Sequence, residues 1–176
     1  VWGHRLARGV WGGPKARGAL KLSTQDLQRV DPVIEALKAK LGEGLVAIVL
    51  FGSRARGEGA GGSDWDLFLI AERLPDNPFD RQLELRALLP TEVEGVSLVA
   101  KTREEFQAGF PPLYLDLAVD GVVLYDPEKY MTPKLEKIRG IIRHAGLRRS
   151  RRKDGFIWKW QRRPQGGWRI DWSGVH

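Results

Sequence analysis

The sequence predicts an α/β chain in the broad sense: a small sheet with helices on one side, then a C-terminal helix and a hairpin. Three observations predict it. Leu45 to Phe51, LVAIVLF, is a continuous apolar run, the pattern of a strand buried on both faces. Leu27, Val30, Val33, Ile34, Leu37 and Leu41 recur at steps of three and four, which makes one stripe of an amphipathic helix. Asp64 to Ile70, DWDLFLI, reads as a second strand, with Asp64 and Asp66 on one face because side chains alternate.

The elements follow in order. Ser23 is placed as an N-cap, with Asp26 as its capping partner three residues on. The first helix then ends at Gly42 or Gly44, with Pro32 as a kink or as the start of its main body. Ser53 to Gly62 is a Gly/Arg-rich loop or short helix. Pro75 to Pro78 marks a loop, and Asp80 to Leu89 has helical spacing. Val93 to Thr102 reads as a third strand, and Thr102 caps a short helix through Phe106. Leu113 to Ala118 is helical, Gly121 to Tyr125 a short strand, and Pro127 to His144 a final long helix. In the tail, FIWKWQ and WRIDW are expected to pair as a hairpin across RPQGG.

The length of 176 residues suits one domain plus a small appendage. Cys is absent, which removes disulfides, thiolate metal sites and cysteine nucleophiles. No apolar run is long enough to span a membrane, and the first twenty residues lack the apolar core of a secretory signal. A cytoplasmic location without membrane partners is the expectation. Charge is uneven. Residues 1–22 carry five Lys/Arg and no acids, residues 23–128 carry ten against nineteen acids, and residues 129–176 carry fourteen against three. An acidic middle between basic ends suggests a metal-binding core whose ends meet something anionic; solvated surface charge is the plainer reading. The organisation expected is a basic Gly/Arg-rich arm at 1–22, a domain at 23–127 and a basic, Trp-rich segment at 128–176.

Asp64 and Asp66 carry the chemistry. Two like charges on one strand face raise each other's pKa, and a divalent cation relieves them. Metals also neutralise the charge that develops on transferring phosphates. Gly52 and Ser53 follow the buried strand directly. Gly permits close backbone approach to a phosphate, and Ser adds a hydroxyl. Arg54 and Arg56 are candidate partners for phosphate oxygens.

The string from the apolar strand through Gly52, Ser53, ten intervening residues, Asp64, one residue and Asp66 to a second apolar strand closely resembles the minimal nucleotidyltransferase domain of the DNA polymerase β superfamily. Ala55, Arg56, Gly57 and Ser63 match the insert frequent in that family. The resemblance covers roughly residues 27–126. It implies a polymerase-β-like mixed sheet flanked by helices. It implies Mg²⁺ or Mn²⁺ on Asp64 and Asp66, with Gly52, Ser53, Arg54, Arg56 and Ser63 toward the nucleotide. It implies transfer of a nucleoside monophosphate from a nucleoside triphosphate, ATP foremost, to an acceptor. Active members usually add a third carboxylate from a later strand. The aligned position here is Ser97, and Glu94 is the nearest replacement. Asp116, on a later helix, is read as structural. Stand-alone members are often antitoxins that pair with a helical HEPN toxin and inactivate it by adding AMP. The alternative is a non-catalytic nucleotide- or RNA-binding module. For it, the run RRSRRK at Arg148 to Lys153 and the Trp residues after it offer cations and stacking rings, or the Trp pack on the domain.

Overall fold

The first helix, α1 (Thr24–Leu41), opens on a complete capping box. The Ser23 hydroxyl accepts from the Asp26 amide at 3.1 Å, and the Asp26 carboxylate accepts from the Ser23 amide at 3.0 Å. Pro32 lies inside α1 without ending it. It and Gln28, four residues earlier, are both exposed, so the carbonyl that loses its partner faces water. The chain is described here from a computed structural model over residues 22–59, 62–153, 155–162, 164 and 166–176. The basic arm expected at 1–22 lies outside these residues, except for Leu22, which is buried.

Four strands form the central sheet in the order β3-β2-β1-β4: β1 (Leu45–Phe51), β2 (Trp65–Ala71), β3 (Val96–Thr102) and β4 (Val122–Tyr125). β1 runs antiparallel to β2 and β4, while β2 and β3 are parallel, so the sheet is mixed. β2 and β3 are joined through α3 (Pro78–Ala87), as a parallel pair requires. Short helices α2 (Gly52–Ala55) and α4 (Arg103–Ala108) follow β1 and β3.

Helices cover both faces of the sheet, not one. Ile48, Leu50, Leu67 and Leu69 pack with Val30, Val33 and Leu37 of α1. Ala47, Val49, Phe68 and Ile70 pack with Tyr114 and Leu117 of α5 (Pro112–Asp120) and with Leu135 and Ile138 of α6 (Met131–His144). The reason is already in β1. It is apolar at every position, and each large side chain left in water would forgo roughly 1.5–3 kcal/mol. α6 starts at Met131 rather than Pro127, because the Asp126 carboxylate accepts from the Met131 and Thr132 amides at 3.0 and 2.8 Å and sets the first turn.

The tail departs further from expectation. The strand paired with GFIWKW is the basic run itself: β5 (Leu147–Arg152) is antiparallel to β6 (Gly155–Trp160). Ile170–Asp171 and Gly174–Val175 form a second, two-residue ribbon, β7 and β8. An Asp154–Gly155 dipeptide between two strand-length segments is a hairpin turn signal. Trp172 folds back onto the domain, 5.1 Å from the Phe106 ring, and its indole N–H donates to the Gly109 carbonyl at 3.0 Å. No helix among the described residues is long and apolar enough to cross a membrane.

One buried ion pair ties α3 to α4. Arg81, only 8% exposed, meets Glu105 with two bonds of 2.8 Å and also donates to the Pro75 carbonyl. The Arg81 guanidinium holds the Glu105 carboxyl down from 4.5 to about 2. A depressed carboxylate stabilises the fold above its unfolded pKa and loses that contribution as pH falls through the folded value. The wild type should therefore lose melting temperature between about pH 4.5 and pH 2 more steeply than Glu105→Gln. Equal slopes in thermal melts across that window would remove the pair as a cause.

Candidate functional site

The site forms where β1 and β2 both end. Phe51, the last residue of β1, pairs with Asp66, the second residue of β2. Gly52 then turns the chain with φ +76°. A β-carbon built on Gly52 would stand 2.1 Å from Asp66 Oδ2. Gly52 is thus needed first to leave room for a carboxylate. Gly95, φ +67°, does the same for Asp64: an added β-carbon would lie 2.8 Å from Asp64 Oδ1. Each acidic side chain rests against a glycine.

Asp64 stands one residue before β2 and is exposed, while Asp66 is half-buried. The Asp66 carboxyl is held above the usual carboxylate range, by burial first and then by the Asp64 charge, with Arg56 opposing both. Asp64 and Asp66 are two residues apart at the start of β2, and Arg56, just after α2, is the cation that bears on Asp66. Among the described residues no group of three or more His, Asp or Glu side chains gathers to hold a metal. A pair of hard carboxylate oxygens suits Mg²⁺, which usually takes one or two carboxylates and fills its shell with phosphate oxygens and water.

The two arginines after Ser53 do different work. Arg54 is buried. Its guanidinium lies 4.2 Å over the Trp65 ring, its Nε–H donates to the Ser63 carbonyl at 2.8 Å, and Nη1 lies 3.7 Å from Asp26. It pins the loop that carries Ser63 against the start of β2. Arg56 is more open. It bonds Glu58 at 2.9 Å, lies 3.8 Å from Asp120 of α5, and sits 4.9 Å from the Phe156 ring of β6. Ser53 and Ser63 are half-buried on either side of this loop.

In the parallel register, Asp66 pairs with Ser97. The position beside Asp66 on the neighbouring strand therefore carries a hydroxyl. Glu94 is exposed in the loop before β3, one residue from the glycine that backs Asp64. An open cleft of about 340 Å³ lies here, lined by Asp64, Ser97, Gln82, Arg86 and Leu89 among others. Sequence reasoning missed Arg86 and Gln82. No spacing marks them; only the packing of α3 against β3 brings them to the cleft. Asp116 is structural: it accepts from the Trp158 indole at 3.1 Å and lies 3.4 Å from Arg149, which also pairs with Asp120.

A mixed four-strand sheet with two carboxylates cradled at the end of its central pair defines a nucleotidyltransferase-type domain. The sequence pattern of the nucleotidyltransferase domain family matches residues 30–122, and this chain belongs to that family. It is 30% identical over 119 residues to a protein of Methanocaldococcus jannaschii that carries the provisional name of a protein adenylyltransferase, covering 65% of this chain and 81% of that one. Its fold is similar to a toxin–antitoxin complex with AMP-PNP (TM-score 0.49, 23% identity, 65% of this chain and 86% of the other). It is also similar to a Shewanella oneidensis complex of a tri-AMPylated HEPN toxin with an MNT antitoxin (TM-score 0.47, 20% identity, 66% and 86%).

Proposed function

We propose that this chain transfers a nucleoside monophosphate from a nucleoside triphosphate to an acceptor, in a reaction that needs a divalent metal. The observation that carries the reading is the Asp64–Asp66 pair, each member backed by a positive-φ glycine whose missing β-carbon leaves room for the carboxylate. A half-buried carboxylate beside a second like charge is costly to keep without a cation, and phosphoryl transfer uses such a cation. Asp64 and Asp66 would hold Mg²⁺ or Mn²⁺, which when bound neutralises charge on the phosphates. Gly52, Ser53 and Ser63 would border the triphosphate, with Arg56 as its cation. We assign Arg54 to holding the loop in place.

Ser97 cannot remove a proton from an acceptor at neutral pH. We assign that role to Glu94, which is exposed next to the Asp64 end of the cleft. Arg86 and Gln82 would orient the acceptor. A protein acceptor is favoured, supported by the name of the Methanocaldococcus relative; a HEPN-type helical protein is the first to try. We also take residues 23–127 as the transferase domain, with 128–176 as an added C-terminal unit. A cytoplasmic location is part of the same reading.

The test is direct. The protein is incubated with α-labelled ATP, Mg²⁺ and candidate acceptors, and label on the acceptor is read after denaturation. Glu94→Gln should slow labelling while leaving metal-dependent ATP binding, read by calorimetry, unchanged. Labelling that survives Asp64→Ala/Asp66→Ala would sink the site assignment. Persistent ATP binding with no label on any acceptor would instead favour a non-catalytic nucleotide-binding module.

A further inference from the structure

We propose that the outer face of the β5–β6 hairpin is a docking surface for single-stranded RNA. The pairing register sorts its side chains. Leu147 with Trp160, Arg149 with Trp158, and Arg151 with Phe156 share the inner face. That face is occupied: Arg149 bonds Asp120, Trp158 bonds Asp116, and Arg151 reaches Glu58 at 3.0 Å. Arg148 with Lys159, Ser150 with Ile157, and Arg152 with Gly155 share the outer face.

The outer face is cationic, and no acid among the described residues neutralises it. Arg148, Arg152 and Lys159 are exposed, and exposed Lys153 and Arg162 flank them. Arg148 and Lys159 stand directly opposite each other, an arrangement that destabilises a strand pair. Among the described residues no acid pairs with the Arg148 guanidinium, which lies beside the neutral carboxamide of Gln161. No described acid pairs with Lys159 or Arg152. A hairpin that keeps such a pair exposed is poised for a polyanion, whose binding relieves the repulsion and releases counterions.

The chemistry selects among polyanions. The outer face carries one apolar side chain, Ile157, because the aromatic residues of β6 face inward. A protein interface favours an apolar, largely uncharged centre, and a membrane-bound face needs an apolar side to insert; a cationic row with Ile157 alone supplies neither. Trp168, which meets the inward-facing Trp160 edge-on at 4.8 Å, is 41% exposed. An exposed indole can stack an unpaired base, which duplexes do not offer. Ser150, in the middle of the cationic row, supplies a hydroxyl that can bond a ribose 2′-hydroxyl. The hairpin also lies outside the family match at 30–122, so this surface is an addition to the transferase fold.

The experiment is fluorescence anisotropy with a labelled oligouridine, without nucleotide or metal, so that loss of transfer activity does not affect the reading. The wild type should bind with affinity that falls as salt rises. Arg148→Ser/Lys159→Ser should weaken binding by about tenfold or more. It should also reduce the log–log salt slope by roughly 1.4, at about 0.7 for each single-strand phosphate no longer neutralised. Its melting temperature should hold or rise, because a repulsive pair has gone. Trp168→Ala, outside the hairpin, should weaken RNA binding without changing the salt slope. Unchanged affinity in both variants overturns the proposal. So does equal binding of the matching single-stranded DNA, of duplex DNA, of polyglutamate or of anionic vesicles.

Discussion

Asp66→Asn should abolish measurable transfer, a loss of about 10³-fold or more, while making the metal-free protein more resistant to heat. The two effects share one cause. The carboxylate is half-buried and feels the Asp64 charge, so its ionised form costs stability when no cation offsets it. Asn keeps the size and removes the charge. The same charge is what a metal would need, and several kcal/mol of transition-state stabilisation go with it. At about 1.4 kcal/mol per factor of ten, that loss reaches the 10³ range. Steady-state labelling and thermal melts without metal check the two halves. A variant that is both active and less stable would contradict this shared cause.

Gly52→Ala should be nearly as damaging, although alanine is the smallest change available. A positive φ of 76° at this position is unfavourable for any residue with a β-carbon, at a cost of roughly 1–2 kcal/mol. The new methyl group would also lie 2.1 Å from Asp66 Oδ2, so the carboxylate must swing away. A displacement of about 1 Å at a reacting centre can cost about 10²-fold. We expect a loss of that order, with a melting temperature lower by a few degrees and an unchanged circular dichroism spectrum. Wild-type rates in Gly52→Ala would show that Asp66 does not need its observed place.

How much of the fold and site was legible in the sequence depends on which residues carried it. β1 was readable because it is apolar at every position, and α1 because its stripe and its cap agree. The spacing from Ser53 to Asp64 placed the carboxylate pair, and the strand register put Ser97 beside Asp66, as the family pattern implied. Other features were hidden. The reason for Gly52 lay in its closeness to Asp66, fourteen positions away, which no local pattern records. Arg54 and Arg56 look alike in the chain; only burial against Trp65 separates them. The basic run was not read as a strand because cations are poor markers of strand structure. Of its inward arginines, Arg149 is held by Asp116 and Asp120, more than twenty-five positions upstream. The cleft residues Gln82 and Arg86 depend on how α3 lies on β3, which only tertiary packing decides.

Trp172 seats between the Phe106 and Phe110 rings, 5.1 and 5.2 Å away, against a sheet face whose central Phe68 was laid down about a hundred residues earlier. Among the described residues, the core under α1 includes none beyond Tyr125. On a ribosome the two faces would therefore close on different schedules. The carboxylate pair can assemble on a half-covered sheet, while the opposite face waits for α5 and α6, and its aromatic edge at Phe106 and Phe110 for Trp172. Such a delay leaves a window for chaperone capture or for aggregation, and it makes Trp172 a late lock on a fold whose carboxylate pair lies more than a hundred residues upstream.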